Sequence, residues 1–542
     1  MVFVFTGCQP EAEQEEHSIL PSLHITMTSL QLDSILTDRD NKVSAYALLT
    51  DVQGDTLYDG NLTHIKTRGN STFDENKKPF AIKFPDKQVF FGLERDKSFV
   101  LLANARDESH IRNAIALDLA RAMGISAPRY AYLNLYINDT YRGLYQITNK
   151  IHVGKESLDI IDLDKRNAWF NPKPLDEYEW YGSGRKGQAI QRQGFLLDND
   201  PDDITGGYLM DNSGPLAPYQ RSLSGFVSDA GDNIRLLSPK HASPREVDYI
   251  ASLYNEMESA VLAPDGICPE TGRHYSEYLN VESFARYYLL NELLFNWDGG
   301  WASFMMYKDV DVNDPLFYAG PAWDYDRTLD NSHFQMKDIA FPNELFVCEA
   351  KGKLGIAHSG GLLHHLCQHK DFQQEVGNCY LNEIGRVCHS YLEEHPFDSI
   401  AALLSHEADR DNAKYQTRSS ADYASATKRA TDFLRERIAF FDWYFSSREK
   451  GCVTVVYKWK YKRNLTFCYP LGEPVYTPQV TKVVNNHDPI YVMYYPGTDS
   501  IVPDGTVFHS PQYLELRKSE PTKRMVQIRR VKKKLRKLGL DF

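Results

Sequence analysis

Between Asn291 and Leu329 the chain reads NELLFNWDGGWASFMMYKDVDVNDPLFYAGPAWDYDRTL. No other stretch restricts the fold so much. The run NVESFARYYLLNELLFNW carries apolar residues at helical spacing, and Gly299–Gly300 end it just after Asp298. Strand-like ASFMMYKDV and LFYAG follow. The chain then turns at Gly320–Pro321 and delivers Trp323-Asp324-Tyr325-Asp326. On extended backbone Asp324 and Asp326 share a face. With Asp298 they form a candidate hard-oxygen site for Mg²⁺, an ion held by one or two carboxylates plus substrate phosphates and water. The alternative is that Asp298 caps a loop and the Asp-Tyr-Asp pair is turn chemistry.

Around this stretch the texture changes three times. From about Leu20 to Phe99 the pattern is β, and in LTHIKTRGN the residues Lys66 and Arg68 alternate onto one face, opposite Ile65 and Thr67. Lys77-Lys78-Pro79 leads into FAIKF, where Lys83 shares a face with Ala81. These cations are either solvated or converge near a Gly-Asn turn to clamp phosphates. SFVLLANARDESHIRNAIALDLARAMG joins a buried strand to an amphipathic helix with Asp107, Ser109 and Asn113 near its start. RYAYLNLYINDTYRGLYQITNKI is a hairpin turning at Asn138-Asp139. Residues 164–203 read as an irregular, Gly- and charge-rich insertion, and its G-x-G-x-x-G at Gly182–Gly187 reads as a flexible loop. From Ser243 the chain is helical, and His358, His364, His365 and His369 read as surface or core-edge residues rather than ligands. Past Gly451 it returns to β texture to about residue 520, and residues 521–542 form a strongly basic tail.

Composition excludes several classes. A net charge of −12 argues against a dedicated nucleic-acid binder, whose footprint is basic. At 42 % hydrophobic the chain has ample material for large cores, and no run of about 18 apolar residues exists to span a bilayer. The cysteines show no C-x-x-C and no zinc spacing, so structural zinc is not expected. Near the N-terminus MVFVFTGC resembles the end of a bacterial lipoprotein signal, which makes Cys8 the expected lipidation site. Residues 1–19 are then signal remnant and acidic tether, and the protein is expected in the cell envelope or outer membrane, facing away from the cytoplasm.

The segments IKTRGNST, KKPFAIKF, SFVLLANARDESHIRNAIALDLARAMG, LNLYINDTYRGLYQIT, GGYLMD, RLLSPK, SFARYYLLNELLFNWD and LFYAGPAWDYD together resemble the spore coat protein H (CotH) kinase family, in that family's order. The resemblance implies an α+β, atypical two-lobed protein-kinase-like fold over residues 20–450, with a β-rich first lobe and a helical second lobe. A small β-rich domain follows at 451–520. It implies ATP and Mg²⁺ (or Mn²⁺) as cofactors, and phosphoryl transfer to a protein substrate. Arg68 and Lys83, with Lys78 in reserve, are the phosphate-binding candidates, and Lys240 lines the nucleotide pocket. Asp298 takes the catalytic or base role, Asp324 the metal, and Asp326 a second ligand or orienting role. Family members often carry Glu where this chain has Asn149, so the alternative is an inactive pseudokinase. That alternative serves as a surface module binding protein or glycan, with Trp459, Tyr461, Tyr491, Tyr494 and Tyr495 as its aromatic platform.

Overall fold

The computed structural model describes residues 19–69, 71–182, 192–212, 224–296, 298–299, 303–331, 342–347, 361–394, 396–415, 422–447, 451–458, 464–478 and 490–519. Cys8 and its tether, residues 183–187 of the Gly-rich loop, His358, Trp459, Tyr461 and the basic tail lie outside them.

Seven strands form the first unit: β1 (Ser22–Thr26), β2 (Val43–Thr50), β3 (Thr56–Thr67), β4 (Phe80–Gln88), β5 (Asp96–Leu102), β6 (Tyr130–Ile137) and β7 (Thr140–Asn149). They make a closed barrel in the order β1-β2-β3-β4-β5-β7-β6, sealed by parallel pairing of β1 with β6. Alternation along the strands builds its core. Leu62, Ile65 and Thr67 of β3 and Phe80, Ile82 and Phe84 of β4 point inward and are buried. His64, Lys66, Ala81 and Lys83 therefore face outward, with Lys66 opposite Ala81 and His64 opposite Lys83. The β6–β7 hairpin turns at Asn138 and Asp139, both at positive φ, as a two-residue turn matched to strand twist requires. Helix α1 (Ser29–Thr37) starts with a capping box between Thr28 and Gln31. Helix α2 (Arg112–Ala122) follows β5 and is buried along most of its length.

The second unit is not simply helical. Its strands β8 (Trp180–Gly182), β9 (Arg192–Phe195), β10 (Tyr208–Asn212), β11 (Ser224–Val227), β12 (Asn233–Ser238), β13 (Phe304–Lys308) and β14 (Tyr318–Ala319) form one sheet, ordered β14-β13-β10-β12-β11-β9-β8. Helices α3 (Leu163–Phe170), α4 (Pro244–Leu262), α5 (Val281–Leu293), α6 (Gly361–Leu366), α7 (Lys370–Cys379), α8 (Gly385–Glu394), α9 (Pro396–Tyr415) and α10 (Tyr423–Ser447) complete it. One continuous apolar core runs from α2 through this sheet to α10. The architecture is thus α+β, but a closed barrel joined to a sheet-and-helix body replaces the expected pairing of a β lobe with a helical lobe. Residues 164–203 are also ordered otherwise than expected. They contain most of α3 and both strands at one edge of the sheet, and strands of three and four residues are too short to show alternation.

A third unit holds β15 (Cys452–Lys458), β16 (Asn464–Pro470), β17 (Pro474–Val475), β18 (Ile490–Tyr494), β19 (Ile501–Val502), β20 (Thr506–Val507) and β21 (Gln512–Ser519). Five form a sheet ordered β16-β15-β21-β18-β19, and β17 pairs with β20. Tyr491 belongs to its core, Tyr494 lies under the Arg517 guanidinium at 4.8 Å, and Tyr495 is exposed. The six described cysteines with free thiols are Cys268, Cys367, Cys379, Cys388, Cys452 and Cys468. Among the described residues no helix is long and apolar enough to cross a membrane.

The segment that carries Lys240 is held by α3 and α4. Asp164 accepts from the Lys240 and His241 backbone N–H groups at 2.8 and 3.2 Å. Asn167 Nδ2 donates to Glu246 Oε2 at 2.9 Å and to the His241 carbonyl at 3.2 Å. Glu246 and Asn167 are fully buried, and among the described residues Glu246 Oε1 and Asn167 Oδ1 have no hydrogen-bond partner. Burial, reinforced by Asp200 and Asp164, pushes the Glu246 carboxyl from 4.5 up to about 8. A carboxyl raised on folding contributes stability below its unfolded value and loses it as pH rises through the folded one. Wild type therefore loses stability between about pH 4.5 and 8. In Glu246→Gln the amide supplies the missing donor, and that loss is shallower. Urea unfolding at pH 6 and pH 9 checks it, with the variant ahead at pH 9 by about 1–3 kcal/mol.

Candidate functional site

Two buried asparagines set the backbone of the carboxylates. After α5 the chain turns at Asn296, whose Nδ2 donates to Asn291 Oδ1 at 2.8 Å and whose Oδ1 accepts from the Asp298 N–H at 3.0 Å. From α2, Asn113 Oδ1 accepts from the Tyr325 N–H at 2.8 Å, between Asp324 and Asp326. Asp324 adopts φ +70°, a left-handed turn, so the extended backbone expected for Asp324–Asp326 does not form. The turn separates the two carboxylates. Asp324 is exposed into the cleft and accepts from the Ser303 hydroxyl at 3.0 Å, Tyr325 is fully buried, and Asp326 is buried behind them.

The carboxylates still interact. Burial and then Asp298 raise the Asp324 carboxyl, while Ser303, Arg68 and Arg327 pull it down. Asp326 is raised by burial, then by Asp324 and Asp298, against Arg106 and Arg327. Asp324 is reached by water yet enclosed by protein, so both its exposure and its desolvation follow from a side chain facing a narrow cleft. Arg327 lies 3.4 and 3.5 Å from the two Asp298 oxygens. Among the described residues no three His, Cys, Asp or Glu side chains are gathered to hold a metal by themselves. Asp324, accessible and crowded by negative charge, fits an ion that takes one or two carboxylates and completes its shell with phosphate and water.

Opposite the carboxylates stands an excess of positive charge. The Lys66 ammonium is lowered by burial and then by Lys42, Arg68 and Lys240. Lys150 is lowered by burial and then by Lys240, Lys66 and Arg68. Arg68 feels Asp324 and lies 5.3 Å from the Trp323 ring centroid, so it joins the cations to the acidic turn at Trp323–Asp326. Cations that disfavour one another in a semi-enclosed cleft attract a multiply charged anion.

Lys83 sits one cross-strand step further along the barrel, opposite His64. Lys78 is engaged elsewhere: its ammonium donates to the Phe73 carbonyl and lies 4.8 Å from the Phe73 ring centroid. Lys240 belongs to the cluster through Lys66 and Lys150. Asn149 does not face these cations. Its Oδ1 accepts from the Glu94 N–H at 2.9 Å and its Nδ2 donates to the Glu94 carbonyl at 2.8 Å, pinning the β4–β5 connection. Sequence reasoning overlooked Arg327, Ser303 and Asn296, assigned no site role to Lys150, and named Lys66 only as one of the cations that could clamp phosphates. The adjacency of Arg327 to the acidic pair, and of Lys150 to the hairpin's end, were the available signals. His364 and His369 are buried at the core edge, and His369 Nε2 pairs with the Val261 carbonyl at 2.9 Å.

A family model described as CotH kinase protein matches residues 65–441, a span that includes every residue of this site named above except Lys42 and His64. No curated protein matches the chain.

Proposed function

The chain belongs to the CotH kinase family, and from that premise we propose that it transfers the γ-phosphoryl group of ATP to serine or threonine hydroxyls of a protein. The observation that carries this is Arg68, which is coupled both to Lys66 and Lys150 and to Asp324. Cations for a polyphosphate and carboxylates for its metal thus share one cleft. In this reading Lys66, Arg68, Lys150 and Lys240 draw in the triphosphate, and Lys83 serves its outer edge. Mg²⁺ or Mn²⁺, when bound by Asp324 with Asp326 behind it, neutralises charge on the phosphates. Asp298 accepts the proton of the attacking hydroxyl, and Arg327 balances its charge in the free protein. With Asn149 satisfied by the Glu94 backbone, its lack of charge strands no cation, which favours activity over the pseudokinase alternative. We further propose a lipid anchor at Cys8 and an extracytoplasmic protein acceptor.

Arg68→Ala tests the phosphate role. Loss of one charge-assisted contact, about 1.5–3 kcal/mol, weakens ATP binding by roughly one to two decades in titration calorimetry. Lys78→Ala is expected to leave it within about twofold, since Lys78 is held at Phe73. Equal effects of the two variants would move the phosphate site away from Lys66 and Lys150 and toward the Ser71–Asp74 turn where Lys78 is held.

A further inference from the structure

A chain of buried side-chain amides connects the barrel to the acidic turn. Gln146 of β7 is fully buried, and its Oε1 accepts from Asn104 Nδ2 at 3.3 Å. Asn104 Oδ1 accepts from Asn113 Nδ2 at 3.0 Å, and Asn113 Oδ1 accepts the Tyr325 N–H at 2.8 Å. Asn104 is itself at φ +46°, so its backbone is bent to present the amide. Two left-handed non-glycine residues, Asn104 and Asp324, thus lie at either end of Asn113. Such turns are held only where surrounding bonds over-determine them. Arg112, fully buried beside Asn113, adds a parallel grip through the Thr328 carbonyl at 3.0 Å and the Leu329 carbonyl.

We propose that Asn113, oriented by Asn104, is a positioning residue for the metal-binding carboxylate: it fixes the turn that aims Asp324 into the cleft, and so couples metal affinity to the barrel. The inference rests on the metal reading of Asp324. Asn113 touches neither nucleotide nor ion, and acts through the backbone between two carboxylates. Without it the Tyr325 N–H is buried without a partner, and the turn relaxes toward a φ that points Asp324 away. Removing groups that orient metal ligands commonly lowers metal affinity by about 10–100-fold.

The test measures Mn²⁺ binding to the full chain by electron paramagnetic resonance, from the loss of free-ion signal, with ATP held constant. Asn113→Ala and Asn104→Ala are each expected to weaken Mn²⁺ binding by at least about tenfold, and the double variant no more than the worse single one, because both cut one chain. Asn171→Ala is the control for a merely structural loss. Asn171 is equally buried and bonds Asn167 and Asn199, so it lowers the melting temperature but leaves Mn²⁺ affinity unchanged. Wild-type Mn²⁺ affinity in Asn113→Ala, with Asp324→Asn losing the ion, would overturn the positioning role and leave the metal reading intact. Unchanged affinity in Asp324→Asn would overturn the metal reading, and the inference with it.

Discussion

Asp324→Asn is expected to lower metal-dependent phosphoryl transfer by about 10³-fold, the scale of removing one preorganised charge from a transition state, while raising the melting temperature. The two effects have one cause. Beyond burial, Asp298 raises the Asp324 carboxyl, and Asp324 and Asp298 together raise that of Asp326, so the folded protein holds the three against repulsion. Replacing one by a neutral isostere relieves that repulsion and removes the ligand. Asparagine suits the site structurally, because it tolerates the left-handed backbone at φ +70° and retains a partner for the Ser303 hydroxyl. Radiolabel transfer and a melting curve on the same preparation check both halves. A variant that loses activity and stability together would indicate a merely misfolded cleft.

The largest stability effect is expected at Lys77. Its ammonium is buried where the barrel meets α9, donating to the Leu144 carbonyl at 2.5 Å and pairing with Asp411 at 2.8 Å. Asp411 also accepts the Leu144 N–H at 2.8 Å, so one carboxylate ties α9 to β7 and to the segment before β4. A Cβ at Gly143 would meet Asp411 Oδ1 at 2.1 Å, so this approach requires glycine. Lys77→Met leaves Asp411 charged, buried and without its cation, which destabilises by about 3–5 kcal/mol. At roughly 2–4 °C per kcal/mol the melting temperature falls by about 10 °C. Adding Asp411→Leu is expected to recover part of that loss, since an apolar pair removes the stranded charge but leaves the Leu144 N–H without its acceptor. A single variant that melts like wild type would mean that α9 does not depend on this tie.

What could be read from the sequence was local. The alternation that puts Lys66 on the outer face of β3 with Arg68 just past its end, and the left-handed Asn138-Asp139 turn, depend on neighbours within a few residues. Barrel closure was hidden, because it rests on parallel pairing of β1 with β6, more than a hundred residues apart. The shape of the acidic turn was hidden for the same reason. Asp324 turns left-handed beside a backbone N–H bound by Asn113, 212 residues earlier, and nothing in Trp-Asp-Tyr-Asp announces that partner. Lys78 shows the converse. Its neighbourhood to Lys77 and β4 suggested the cleft, but the short 3₁₀ turn Ser71–Asp74 brings the Phe73 carbonyl within its reach first.

Transfer of label from [γ-³²P]ATP to a serine-rich acceptor protein by the full chain, with and without Mg²⁺ or Mn²⁺, tests the central claim most directly. The account predicts metal-dependent labelling of acceptor hydroxyls that disappears in both Asp298→Asn and Asp324→Asn. Labelling that survives both substitutions, or a wild-type protein that neither labels any acceptor nor is stabilised by ATP with metal, would contradict it.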